Sequence, residues 1–284
     1  MSRPKAAALR GDRPPEQGTD ANEPAEVGRD YRAPALERGL DALEVLACSG
    51  AAMTQAEVAR ALGRSPSELF RVLTVLERRG YLQRDPLSGA YRPTLRLFEL
   101  GQAHRPEETL LRAAAAPMRA LVDATGEGCH LSVLHRGRLL VLAQEEGPAR
   151  VRVSVAVGST IAPWRSASGR VLLAGLPPGE RGALLATDDE WAALPTRDHA
   201  AIRERLKTIA GRGWEDASGE TVNGVSDLSV PVGAGRVRAA LAVAALPRDH
   251  ASWLAATLPA LDDAAHAIAR AAGLFGQETR QADG

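Results

Sequence analysis

The stretch TQAEVARALGRSPSELFRVLTVLERRG, Thr54 to Gly80, decides how this chain is read. Thr54 and Glu57 stand at the spacing where a Thr oxygen and a Glu carboxylate each cap the other's backbone N–H, just before an apolar run. That run passes Val58 and Leu62 and stops at Gly63. Ser65-Pro66-Ser67-Glu68 repeats the arrangement, with proline at the first helical position, where its missing N–H costs nothing. Leu69, Val72, Leu73 and Leu76 then recur at helical spacing, and Gly80 supplies the stop. Two short capped helices joined by a glycine turn predict a helix-turn-helix.

Working outward, Leu36, Leu40, Leu43, Val45 and Leu46 predict a helix that ends near Ser49-Gly50. After Gly80 the period shortens. Residues 81–84 and 90–93 read as strands around the hairpin loop Asp85-Pro86-Leu87-Ser88-Gly89, which completes a winged helix-turn-helix over residues 34–94. Residues 95–106 read as a linker helix ending before Pro106. Residues 1–33 carry Pro4, Pro14, Pro15 and Pro24, and six basic residues matched by six acids. That balance predicts a solvated, disordered tail in preference to a DNA-binding arm. Residues 275–284 read as a second disordered tail.

Residues 107–274 mix periods. Helices are expected at 107–124, 168–176, 202–212 and 252–272, and strands at 131–135, 139–145, 151–157, 225–232 and 237–246. Arg136-Gly137 and Gly233-Ala234-Gly235 supply tight turns. An antiparallel sheet flanked by helices, an α+β domain, is the assembly this order predicts.

Composition narrows the chemistry. The 284 residues suit two domains, and Lys+Arg and Asp+Glu both number 35. A histone-like or polybasic membrane-surface protein is thereby disfavoured. No apolar run approaches membrane-helix length and the N-terminus does not read as a signal peptide, so a cytoplasmic chain with no membrane partner is expected. Cys48 and Cys129 make neither a disulfide framework nor a zinc knuckle. Lysine chemistry is nearly excluded, because Lys5 and Lys207 are the only lysines and no Gly-Lys-Ser/Thr phosphate loop exists. Catalytic signatures fail as well. Ser168 lacks the Gly-x-Ser-x-Gly elbow, and Gly233-Ala-Gly235 joins strand to strand without the third glycine of a dinucleotide fingerprint. Cys129 and His130 would point to opposite faces of a strand. Asp198-His199 and Asp249-His250 read as loop-to-helix junctions capped by Asp. No metal or cofactor is expected, and a Ser-dependent hydrolase acting on a small ester is the alternative to a regulator.

The segment Thr54-Gln-Ala-Glu-Val-Ala to Phe70-Arg-Val-Leu and Gly80-Tyr-Leu82 resembles the DNA-binding part of the IclR family of bacterial transcription regulators. Ser166-Ala-Ser-Gly-Arg-Val-Leu-Leu-Ala174 resembles that family's small-residue turn feeding a helix. Gly213-Trp214, Glu220, Gly224, Pro231-Val232 and Ala239-Ala240 resemble its second signature. The resemblance implies a winged helix-turn-helix joined by a linker helix to a GAF-like effector domain, in a homodimer or homotetramer on double-stranded operator DNA. Members control metabolic operons, as repressors, activators or both, in response to small, often carboxylated metabolites. By the same resemblance Ala162, Asp227, Ala242 and Ala244 line the effector cavity. Asp227 departs from the small or thiol residue of some members, and Ala242 and Ala244 from their pocket serines.

The inward stripe of the recognition helix turns Ser67, Arg71, Thr74 and Arg78 outward. Arg71 is the expected base reader, since a guanidinium grips guanine O6 and N7 together. Ser65, Ser67 and Glu68 sit at the helix N-terminus near base edges, though Glu68 also reads as a cap. Phe70 is placed either on a thymine methyl or against the preceding helix. Arg64, Arg78, Arg79, Arg84 and Arg92 suit phosphates. In the effector domain, Ser166 and Ser168 precede a helix whose N–H groups could hold a carboxylate, or they only cap it. Trp164 offers a flat wall and Arg165 a charge. A buried Asp227 disfavours an anion unless protonated or paired, and suits a ligand with hydroxyl or amino groups.

Overall fold

The computed structural model describes residues 33–103, 107–220, 222–233 and 239–274. The tail expected over residues 1–33 therefore lies outside the described residues except for Ala33, as do the C-terminal tail and most of the turn Gly233-Ala234-Gly235. The chain divides into two compact units, one up to residue 104 and one from residue 105.

In the first unit, α1 (Pro34–Cys48), α2 (Gln55–Ala61) and α3 (Pro66–Arg78) precede a two-stranded hairpin, β1 (Leu82–Arg84) and β2 (Tyr91–Pro93), and then α4 (Arg96–Ala103). Both capping boxes form: Thr54 with Glu57 and Ser65 with Glu68. Gly63 and Gly80 end α2 and α3 at φ of 62° and 77°, a region in which only glycine is unstrained. Ala42, Leu46, Val58, Leu69, Leu73, Leu82 and Tyr91 make the core, so α2 and α3 contribute the stripes their spacing predicted, whereas α1 buries Ala42 and Leu46 and leaves Leu36 and Leu40 of its expected stripe exposed.

The second unit runs α5 (Glu108–Thr125), β3 (Cys129–His135), β4 (Arg138–Glu145), β5 (Thr160–Ile161), a 3-10 turn (Pro163–Arg165), α6 (Ala167–Ala174), α7 (Pro178–Ala186), α8 (Asp189–Ala192) and α9 (Thr196–Arg212). It closes with β6 (Glu215–Ser218), β7 (Ser226–Val232), β8 (Ala239–Ala245) and α10 (His250–Ala271). The six strands form one antiparallel sheet in the order β5-β4-β3-β8-β7-β6. Helices α5 and α10 cover one face, and α6, backed by α9, covers the other.

The period-2 alternation of strands sorts side chains between these faces. Cys129, Leu131, Val133, Leu228, Val230, Leu241 and Val243 join the core beneath α5 and α10. Their neighbours on the α6 side are small or polar: His130, Ser132, Asp227, Ser229, Ala240, Ala242 and Ala244. Gly169 of α6 sits so close to the preceding turn that a Cβ there would lie 2.0 Å from the Pro163 carbonyl oxygen. Glycine is thus required at that point of the Ser166–Ala174 segment by approach, not by dihedral freedom.

Several expected elements differ. Residues 151–157 form no strand, although Val153 and Val155 do turn inward; the backbone N–H of Val155 goes to the Gln144 side chain, not to a ladder. The pairing strand is β5 instead, opposite Leu139 and Leu140. Pro177-Pro178 does end α6, but Pro178 also opens α7, as proline at the first helical position allows. Asp249 caps α10 by accepting from the Ala251 N–H, whereas Asp198 lies inside the first turn of α9, whose N-cap is Pro195. Strand β6, only four residues long, was too short to carry a period.

Candidate DNA interface and effector cavity

Leu69 and Leu73 anchor α3, which leaves Ser67, Phe70, Arg71, Thr74 and Arg78 exposed. Phe70 is 55% exposed, so α2 does not bury it. The Glu68 carboxylate accepts from the Ser65 backbone N–H at 2.9 Å and from its hydroxyl at 2.8 Å, and these bonds hold its pKa below the ordinary value. Ser67 Oγ lies 3.2 Å from Ser65 Oγ. Thr74 donates its hydroxyl to the Phe70 carbonyl at 2.8 Å. Arg64 stands 4.0 Å from Asp41. In the wing, the Arg84 guanidinium lies over Tyr91 at 5.6 Å and Arg92 donates to the Gln83 side-chain oxygen at 3.0 Å. Arg71 and Arg79 border an apolar groove of about 630 Å³ between α1, α3 and α4, where Leu36, Leu40, Val75, Leu97 and Leu100 meet.

In the second unit a cavity of about 330 Å³ opens beside α6. Leu139, Val141, Val153, Val155, Ile161, Val222, Val225 and Ala244 make its apolar wall, and His130, Ser154, Ser159, Thr160, Ser166 and Asp227 its polar points. Of the sequence-derived residues, Ser166, Asp227 and Ala244 come together here. Ala162, Ser168 and Ala242 are buried and lie outside the lining. Trp164 and Arg165 border a separate depression with Arg170, Ile202, Arg205 and Glu220. Sequence reasoning missed His130 and the Val153–Val155 wall. The one signal for His130 was its place on β3 beside an inward Cys129, which alternation sends to the opposite face.

Burial controls the electrostatics. His130, 6% exposed, has its pKa lowered to about 4, because desolvation penalises the imidazolium. Its Nε2 lies 3.3 Å from Ser168 Oγ. Asp227, 9% exposed, is pushed up to about 7 by desolvation, opposed by a bond from the Ala167 backbone N–H and by the Arg170 charge. Asp227 Oδ1 has no hydrogen-bond partner among the described residues. Ser166 Oγ accepts the Gly169 N–H at 3.2 Å, which makes it the cap of α6.

Behind the cavity, Glu215 is fully buried and takes Arg170 Nε at 2.8 Å, Arg205 Nε at 2.5 Å and Arg212 Nη2 at 2.8 Å. Arg170 also reaches Glu220 at 2.9 Å. Since an unpaired buried carboxylate would be costly, this network fixes α6 and α9 against β6. A Ser–His–Asp chain does form, but away from Ser168. Ser226 Oγ lies 3.0 Å from His250 Nδ1, and His250 Nε2 lies 2.9 Å from Asp216 Oδ2. Ser226 is only 2% exposed and lines none of the cavities above, so the chain ties the start of α10 to β6 and β7. Among the described residues no group of three or more His, Cys, Asp or Glu could hold a metal, and no helix is long and apolar enough to cross a membrane.

Comparison with known proteins agrees with both units. The IclR helix-turn-helix domain model matches residues 35–86, and the bacterial transcriptional regulator IclR C-terminal model matches residues 106–270. The HTH-type transcriptional regulator BhcR of Paracoccus denitrificans is 30% identical over 200 residues, covering 70% of this chain and 71% of that protein. The glycerol operon regulatory protein of Streptomyces griseus is 27% identical, covering 69% and 78%. Among solved structures, an IclR homolog from Microbacterium hydrocarbonoxydans complexed with 4-hydroxybenzoate superposes with a TM-score of 0.72 at 25% identity, over 84% of this chain and 99% of that one. An IclR-type regulator from Alicyclobacillus acidocaldarius gives 0.71 at 23% identity, over 86% and 100%. The hydrolase alternative falls with these matches, and the chain belongs to the IclR family as a DNA-binding transcriptional regulator, not an enzyme.

Proposed function

We propose that this regulator controls a metabolic operon from the cytoplasm, binding a palindromic operator as a two-fold homodimer or a dimer of dimers and releasing or gripping it according to a small metabolite held in the cavity beside α6. The observation that carries the effector reading is the cavity itself, an apolar wall with a few converging polar groups, two of them with strongly shifted pKa values. The solved relative with 4-hydroxybenzoate supports a family capacity for such ligands. On the DNA side, the bidentate fork of Arg71 serves as base reader, with Ser65, Ser67, Phe70 and Thr74 at neighbouring base edges and Arg64, Arg78, Arg84 and Arg92 on phosphates. Glu68 acts there as a cap. Leu36, Leu40 and Leu100, 62%, 51% and 44% exposed, flank the groove between α1 and α4 and favour a second copy of the chain as its cover.

A carboxylated effector is the reading the sequence favours, and it rests on free N–H donors at the start of α6. The Gly169 N–H is already bonded to Ser166, and the Ala167 N–H to Asp227. The test is fluorescence anisotropy on DNA from the protein's own upstream region against scrambled DNA over a salt series. A large affinity gap surviving at physiological salt supports a specific regulator. Weak, steeply salt-dependent binding to both DNAs counts against it.

A further inference from the structure

The polar groups around the cavity beside α6 are unbalanced. Among the described residues its lining holds a carboxyl group, a histidine, three serines and a threonine, but no arginine or lysine. The guanidinium of Arg170, whose charge acts on Asp227, is engaged by Glu215 and Glu220. The site is therefore rich in acceptors and poor in fixed positive charge. Asp227 also occupies the place an anionic ligand would take, because its carboxylate already receives the Ala167 N–H at the start of α6. One oxygen of that carboxylate, Oδ1, is buried and has no hydrogen-bond partner among the described residues.

We propose that the effector of this regulator is a small uncharged molecule carrying hydroxyl groups on a short apolar skeleton, one O–H donating to Asp227 and the apolar part lying against Val141, Val153 and Ile161. The proposal rests on the reading of this cavity as the effector site. A hydroxyl group suits either protonation state of Asp227, because it donates to the carboxylate and can also accept from the protonated acid. An added carboxylate would have to enter beside Asp227 with no arginine or lysine among the described lining residues to balance it, and would force one of the two groups to stay protonated. An ammonium would need several acceptors around one atom and an ionised Asp227, whose burial opposes that charge. The pocket of about 330 Å³ is at the small end of ligand sites, in keeping with a ligand of few heavy atoms.

The test uses the full-length protein and three probe sets of matched carbon count: short aliphatic diols and triols, monocarboxylates, and primary amines. Binding is read as a rise in the thermal midpoint followed by tryptophan fluorescence, and by calorimetric titration. The expected result is binding by diols or triols alone, weakened roughly tenfold or more in Asp227→Asn, which keeps the size of the side chain and an acceptor for the Ala167 N–H. The selectivity of the wild type among the three sets decides the matter even if the variant does not fold. Binding by carboxylates, tightened in Asp227→Asn, overturns the proposal and leaves the effector site standing. Binding by amines alone, or polyol binding that Asp227→Asn leaves unchanged, also overturns it. If no probe binds and none alters operator affinity, the effector-site reading falls and takes the proposal with it.

Discussion

Replacing Asp227 by Asn should stabilise the second unit by an amount that grows with pH. Burial raises the folded-state pKa from 3.8 to about 7. A carboxyl whose pKa is raised on folding binds more protons in the folded state than in the unfolded one. Its contribution is therefore fully present below pH 3.8 and is lost as pH rises through 7. At 1.36 kcal/mol per pKa unit the whole loss is about 4 kcal/mol, and roughly 2–3 kcal/mol of it falls between pH 5 and 8. Asparagine cannot ionise and escapes that loss. For a unit of this size the differential is worth roughly 5–10 °C in Tm. His130 titrates in the opposite sense: its depressed pKa removes stability as pH falls from 6.5 toward about 4, and it does so in wild type and variant alike, so it cancels in the difference. Urea denaturation at pH 5 and 8 followed by tryptophan emission reads this unit alone, because Trp164, Trp191, Trp214 and Trp253 all lie in it. An equal stability difference at both pH values would refute the argument, since it would mean that Arg170 already compensates an ionised Asp227 in the folded protein.

Gly169→Ala drives a Cβ into the Pro163 carbonyl and should cost more than about 3 kcal/mol, visible as an early unfolding transition; a near-wild-type melt would show that the turn yields cheaply. Arg170→Met leaves Glu215 with two arginines instead of three and Glu220 with Arg205 alone, so a loss of roughly 3 kcal/mol by the same urea assay is expected. Thr54→Ala removes one half of a capping box and should cost about 1 kcal/mol in the stability of the first unit, followed by circular dichroism. Arg71→Ala should cost about 1–3 kcal/mol on operator DNA and relax preference at one base pair. Equal weakening on every sequence would move Arg71 to the phosphates.

Local signals in the sequence carried the first unit almost to the residue. Two capping boxes, Gly63, Gly80 and a leucine stripe are determined by contacts within a few residues, so no tertiary information was needed to place α2, α3 or the hairpin. The same holds for β3, β4, β7 and β8, whose alternation reports two covered faces. What the sequence could not decide was which inward residues meet. Residues 151–157 alternate as a strand does, yet they find no ladder partner and become a cavity wall. Ser166, Asp227 and Ala244 converge because β7, β8 and the start of α6 are neighbours in space. Trp164 and Ser168, close to them in sequence, turn elsewhere along the 3-10 turn and α6. The pKa of Asp227 likewise follows from its burial where α6 packs over β7 and β8, a face that the alanines of β8 keep small. Helix caps and strand periods are short-range and readable in the chain, whereas desolvation and convergence are sums over distant segments that only the folded structure assembles.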